Sequence, residues 1–172
     1  MSHLARMPGS GETDCEGRLG LEAGARRIAV SLLHPMLADH LMLYLSYKTH
    51  HWTITGPRFR ELHLLFDEHA HAVLAAVDPL AERIAALGGT PLAAPSHLLV
   101  QASVAEPVAP CSAHAMLQHL RSETEELVVR LRGAIWEADA AGDPGTSDLL
   151  TGVLRQREAE EWVLSAVLAG ER

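Results

Sequence analysis

The chain contains a single lysine, Lys48, among its 172 residues, and its thirteen arginines form no basic stripe. With a formal net charge of −8, the electrostatic attraction that a phosphate backbone requires is missing. Cysteine is equally scarce. Cys15 and Cys111 stand apart with no CxxC spacing, which argues against a disulfide scaffold or a thiolate zinc site and suits two free thiols in a cytoplasmic protein. Aromatic residues make up only 4%, while Ala, Leu and Val dominate, a composition suited to helices. No apolar run reaches the ~18 residues of a membrane span. The N-terminus has no charged stretch leading into an apolar one, so no secretory signal is expected.

Histidine, by contrast, is abundant: eleven residues spread along the chain instead of gathered in a tract. The organisation around them is helical. Residues 1–24 lack periodicity and are expected to form a flexible tail, with a single domain over residues 25–172. A helix is expected from Arg27 to Thr53, bent or delayed by Pro35. Gly56-Pro57 makes a turn, and a second helix runs from Arg58 to Leu87, stopped by Gly88-Gly89. Pro91, Pro95, Pro107 and Pro110 punctuate a long connection holding a short helix, "SHLLVQASV". Helices over Ser112–Ala140 and Thr146–Ala169 flank "GDPGTSD". With neither strand alternation nor an internal repeat, the fold class is all-α: a four-helix bundle of the ferritin-like kind, with a short helix between its second and third helices.

The stretch "KTHHWTITGPRFRELHLLFDE", Lys48 to Glu68, concentrates the candidate chemistry. At 100° per residue, Leu62, Phe66, Val73, Val77, Leu80, Ile84 and Leu87 form the core stripe of the second helix, while His63, Asp67, Asp78 and Glu82 share one arc beside it. His63 and Asp67 are an i,i+4 pair, as are Asp78 and Glu82, so each pair can converge on one ion. The pairs lie roughly 22 Å apart along an ideal helix and cannot share a metal within one chain. An antiparallel second copy across a two-fold axis would bring one pair against the other, with His51 completing each site. Such carboxylate and imidazole sets suit Fe(II). Ordinary surface i,i+4 pairing remains the alternative.

The run "HW…GPRF…LH…FD…VD..AERI..LGG", His51 to Gly89, resembles the signature of the Dps family, DNA-binding proteins from starved cells, also called miniferritins. The resemblance extends from about Ile28 to Ala169, including "GDPGTSDLL" and Trp162. It implies a hollow dodecamer that oxidises Fe(II), preferentially with hydrogen peroxide, dioxygen being the other oxidant. Ferric mineral would be stored inside, protecting the cell against oxidative stress. By the motif, His51, His63 and Asp67 correspond to ligands from one subunit, Asp78 and Glu82 to ligands from its partner, and Trp52 to the aromatic beside the centre. Iron is the implied metal, with zinc or another divalent ion as an alternative occupant. The family name also implies DNA binding and a nucleoid-associated location, but the tail holds no lysine and four acids.

Other residues carry smaller expectations. Pro79 should kink the second helix and free the Ala75 carbonyl. His50 is expected at the surface or behind the ligands, His71 near the two-fold axis, and His69 as a hydrogen-bonded core histidine. By resemblance, Asp139, Asp143 and Asp148 line an entrance pore, and Glu68 faces the cavity.

Overall fold

The structure, a computed structural model, describes residues 18–91, 94–105 and 112–170. Most of the expected tail, both cysteines, Pro107 and Pro110 lie outside them. A short 3-10 turn at Arg18–Gly20 leads into α1 (Ala23–Thr53), α2 (Phe59–Leu74), α3 (Val77–Ala86), α4 (Pro95–Gln101), α5 (Ala113–Ala140) and α6 (Pro144–Ala169). No strand occurs among the described residues.

Two expectations about helix punctuation are corrected. α1 begins at Ala23 and passes through Pro35, so the proline marks no late start. A mid-helix proline costs about 3 kcal/mol. Each large apolar side chain buried nearby returns roughly 1.5–3 kcal/mol, and Leu33, Met36 and Leu37 are all buried around it. The single helix expected over Arg58–Leu87 is in fact α2 and α3, interrupted at Ala75 and Ala76. Pro79 is the third residue of α3, where its missing N–H leaves no intrahelical bond unmade. The Ala76 N–H turns back to the Val73 carbonyl at 3.2 Å, so the chain tightens for a turn and restarts.

Cross-helix contacts give the topology. His51 meets His63 and Tyr47 meets His69, so α1 and α2 are antiparallel. Asp39 meets Arg130 and His50 meets His119, so α5 also opposes α1. Arg121 and Arg132 pair with Glu161 and Glu158, which turns α6 parallel to α1. This up-down-down-up order requires the α3–α5 connection to run back along the bundle. Asp39 secures it: its fully buried Oδ1 accepts from the N–H groups of Ser103 at 2.6 Å and Val104 at 2.9 Å.

Among the described residues, only α1 has the length and mean hydropathy, 1.4, that a membrane-crossing helix also has, although no uninterrupted apolar run in it reaches ~18 residues. Half of its most apolar window is buried inside the bundle. It also carries buried Asp39 and His40, so in this fold it serves as the core helix.

Candidate metal centre

The turn between α1 and α2 builds the centre. The Ile54 N–H closes α1 on the His50 carbonyl at 2.9 Å, and Gly56 takes φ 98°, a conformation open to glycine, so that the chain reverses within a few residues. The reversal lays His51 on His63. Their rings stack with centroids 3.7 Å apart and planes 20° apart, and Phe59 also stacks with His63, its centroid 5.0 Å away.

The hydrogen bonds of this pair are reciprocal. His51 Nδ1 donates to the His63 carbonyl and His63 Nδ1 donates to the His51 carbonyl, each at 2.8 Å. A carbonyl oxygen only accepts, so each Nδ1 carries a proton, which leaves Nε2 as the ring nitrogen that can face a metal. This clamp holds an imidazole as a metal ligand needs to be held. His51 Nε2 lies 3.9 Å from Asp67 Oδ1, so the structure brings His51, His63 and Asp67 together.

A cation already sits among them. Lys48 Nζ donates to Asp67 Oδ1 at 2.7 Å and lies 5.6 Å from the centroid of the exposed Trp52 ring. That hydrogen bond, with smaller help from His51 and His71, holds the Asp67 carboxyl below its ordinary range. Sequence reasoning did not assign Lys48 a role. The available signal was its position: the only lysine, three residues before His51 and therefore on the same helical face. His71 is exposed and donates from Nδ1 to the Asp67 carbonyl at 2.8 Å. Asp78 and Glu82 are both exposed on α3, past the interruption. Among the described residues, no group of three His, Cys, Asp or Glu within the chain is disposed to hold one ion.

Other expectations are redrawn. Of the two places expected for His50, the surface is excluded: it is fully buried, with Nε2 3.1 Å from His119 Nδ1. Asp143 does not face a pore. It is buried, caps α6 by accepting from the Thr146 N–H at 3.0 Å, and receives Arg83 Nη2 at 2.6 Å. Asp139, Asp148 and Glu68 are exposed. His69 is the core histidine expected, its Nδ1 3.3 Å from the Tyr47 hydroxyl.

The bundle interior holds a second polar group that sequence reasoning missed. Ser46 Oγ donates to Glu123 Oε1 at 3.3 Å, Tyr47 OH lies 3.5 Å from Thr124 Oγ1, and Arg157 Nη2 donates to Glu160 Oε1 at 2.7 Å. Burial, aided by neighbouring positive charge or imidazole, pushes His50 and His69 down to about 4 and His40 to about 3. Burial likewise pushes Glu123 and Glu160 up to about 7. The signal was in the spacing. Leu150, Val153, Arg157, Glu160 and Leu164 are all buried at alternating steps of three and four, so the charged pair stands in the core stripe of α6.

This geometry has relatives. The ferritin-like domain model matches residues 30–172, which makes the chain a ferritin-like protein. DNA protection during starvation protein 1 of Deinococcus radiodurans is 33% identical over 159 residues, covering 88% of this chain and 74% of that protein. The solved structure of DpsC from Streptomyces coelicolor matches with a TM-score of 0.84 at 33% identity, over 87% of this chain and 88% of that one. Dps from Vibrio cholerae O1, described as a member of a broad superfamily of ferritin-like diiron-carboxylate proteins, matches with a TM-score of 0.83 at 30% identity, over 87% and 94%. The chain belongs to the Dps family, and membership places it, at family level, among the iron-handling miniferritins.

Proposed function

We propose that the chain is a ferroxidase and iron-storage miniferritin. Each catalytic centre takes His51, His63 and Asp67 from one subunit, and Asp78 and Glu82 from a two-fold-related copy, with twelve copies closing a hollow shell. The observation that carries this reading is the reciprocal clamp: two imidazoles held through Nδ1 by backbone carbonyls, with His51 Nε2 3.9 Å from the Asp67 carboxylate, in a chain whose other acidic pair lies too far along the helix to join them. Fe(II) is the substrate, held by imidazole and carboxylate donors whose negative charge favours the ferric product. Hydrogen peroxide is the preferred oxidant. Two Fe(II) each give one electron, the O–O bond breaks, and two hydroxides form without release of hydroxyl radical. Lys48 gives up Asp67 as metal loads, because a divalent ion at the carboxylate replaces the ammonium as its counter-charge.

The test is anaerobic loading with Fe(II) followed by peroxide, with ferric absorbance recorded. Rapid oxidation in the wild type and slow oxidation in Asp78→Ala/Glu82→Ala is the expected result. Unchanged kinetics in the double variant would remove the assigned site. Metal analysis of the purified protein distinguishes iron from zinc as the occupant.

A further inference from the structure

Asp78 and Glu82 stand on α3, a helix of ten residues cut off from α2 at Ala75 and Ala76, with no side chain capping its N-terminus. A helix this short is marginal by itself, so its orientation is set by what holds it to the bundle. Leu80 and Ile84 are fully buried, one helical turn apart. Apolar burial is non-directional, so that pair fixes where α3 lies more firmly than how it is turned about its axis.

Arg83 supplies the direction. Its Nη2 donates to Asp143 Oδ1 at 2.6 Å and its Nε donates to Thr146 Oγ1 at 3.0 Å, so the guanidinium fork is held along two lines at the start of α6. The receiving end is itself fixed. Asp143 and Thr146 are buried, and Asp143 accepts from the Thr146 N–H at 3.0 Å and from the Thr146 hydroxyl at 2.6 Å. Gly145 makes room for the fork. A methyl group at that position would meet Nη2 at 3.0 Å and Cζ at 3.3 Å. The clasp thus joins "AERI" of α3 to "GDPGTSD", 60 positions further along the chain. Glu82 adjoins Arg83 in sequence and Asp78 lies one turn before Glu82, so a turn of α3 that loosened the fork would carry both exposed carboxylates with it.

We propose that Arg83 is a positioning residue of the outer centre: clasped by Asp143 and Thr146, it fixes the rotation of α3 and so aims Asp78 and Glu82 at the His51, His63 and Asp67 half-site of a second copy. The inference rests on the outer-centre reading and adds to it a residue that binds no metal.

The test uses the assembled full chain and Co(II), with affinity from calorimetric titration and ligand geometry from visible absorption. Arg83→Met is expected to weaken Co(II) binding on the order of 10-fold and to change the ligand-field bands, as loss of an orienting group behind a ligand does. In an Asp78→Ala/Glu82→Ala background the same substitution is expected to leave the residual binding at His51, His63 and Asp67 unaltered, because the carboxylates it aims are gone. Should Arg83→Met not fold, Gly145→Ala replaces it. Its methyl group crowds the fork while alanine favours the helix, and it is judged by the same pair of backgrounds. Unchanged Co(II) affinity in the folded variant, where Asp78→Ala/Glu82→Ala does weaken binding, overturns the proposal and leaves the outer-centre reading standing. Equal weakening with and without Asp78 and Glu82 also overturns it, since the loss is then general. The outer-centre reading fails separately, and the proposal with it, if Asp78→Ala/Glu82→Ala leaves Co(II) binding of the wild type unchanged.

Discussion

The outer centre and the bundle interior use the same vocabulary to opposite ends. Each holds at least one imidazole whose Nδ1 donates to a backbone carbonyl, a carboxylate, and a cationic side chain paired with it. At the outer centre the cation is Lys48, 15% exposed, on a flexible stem and bonded to an acid open to solvent. In the interior it is Arg157, wholly buried, against Glu160. Exchanging an ammonium for a metal at the surface loses only a weak, solvent-screened pair. Removing a guanidinium from the interior strands a charge in a low dielectric. Residue type alone therefore does not set what a charge pair is worth; the difference is how far each pair is shut away from solvent.

The largest effect should come from breaking the interior. Arg157→Met is expected to lower unfolding free energy by about 3–5 kcal/mol, as loss of one partner of a buried pair does, while Arg157→Met/Glu160→Met should recover most of it. Urea unfolding of both variants checks this, and equal losses would dissolve the contrast. Next comes the outer centre, where Asp78→Ala/Glu82→Ala should slow peroxide-driven iron oxidation on the order of 100-fold with helical content unchanged. Stopped-flow ferric absorbance measures it. Lys48→Met should tighten metal binding at the same centre by only about threefold, because the pair it removes is partly open to solvent. Calorimetric titration with Co(II) would reveal a larger gain if Lys48 were held as firmly as Arg157.

The smallest effect is a near-cancellation in pH. His40, His50 and His69 have folded pKa values of about 3, 4 and 4 against 6.5, so the unfolded chain binds more protons and stability falls as pH drops below 6.5. Glu123 and Glu160 stand at about 7 against 4.5, so the folded chain binds more protons and stability rises as pH drops from 7. His119 is shifted down and Asp39 up, each adding to its own set. Melting temperature should therefore change little between pH 7 and 5. It should fall steeply below about 4.5, where the glutamates are protonated in both states and the histidines act alone. Thermal melts across that range decide it, and a steep loss already at pH 6 would show that the glutamates are not shifted.

Much of the geometry around the proposed outer half-site was legible because it is local. His51 and His63 flank one short turn, Asp67 is one helical turn further on, and the Gly56-Pro57 stop needs no distant partner. The interruption at Ala75 and Ala76 was anticipated only as a kink, since a proline names the carbonyl it frees but not how the chain resolves the strain. Asp143 was misplaced, and the surface alternative for His50 fails, for a different reason. Each reads as an exposed polar residue until His119 of α5 and Arg83 of α3 arrive to meet it.

The sequence by itself determined the helical class, the number of long segments, and the spacing that sets two imidazoles and a carboxylate on one side of a turn, because periodicity and turn chemistry act over a few residues. Only the tertiary structure decided which imidazole nitrogens donate to the backbone, that Lys48 sits on Asp67, and that Arg157 lies fully buried against Glu160. Tautomer, burial and counter-charge depend on groups brought from other helices, and no spacing along one helix contains them.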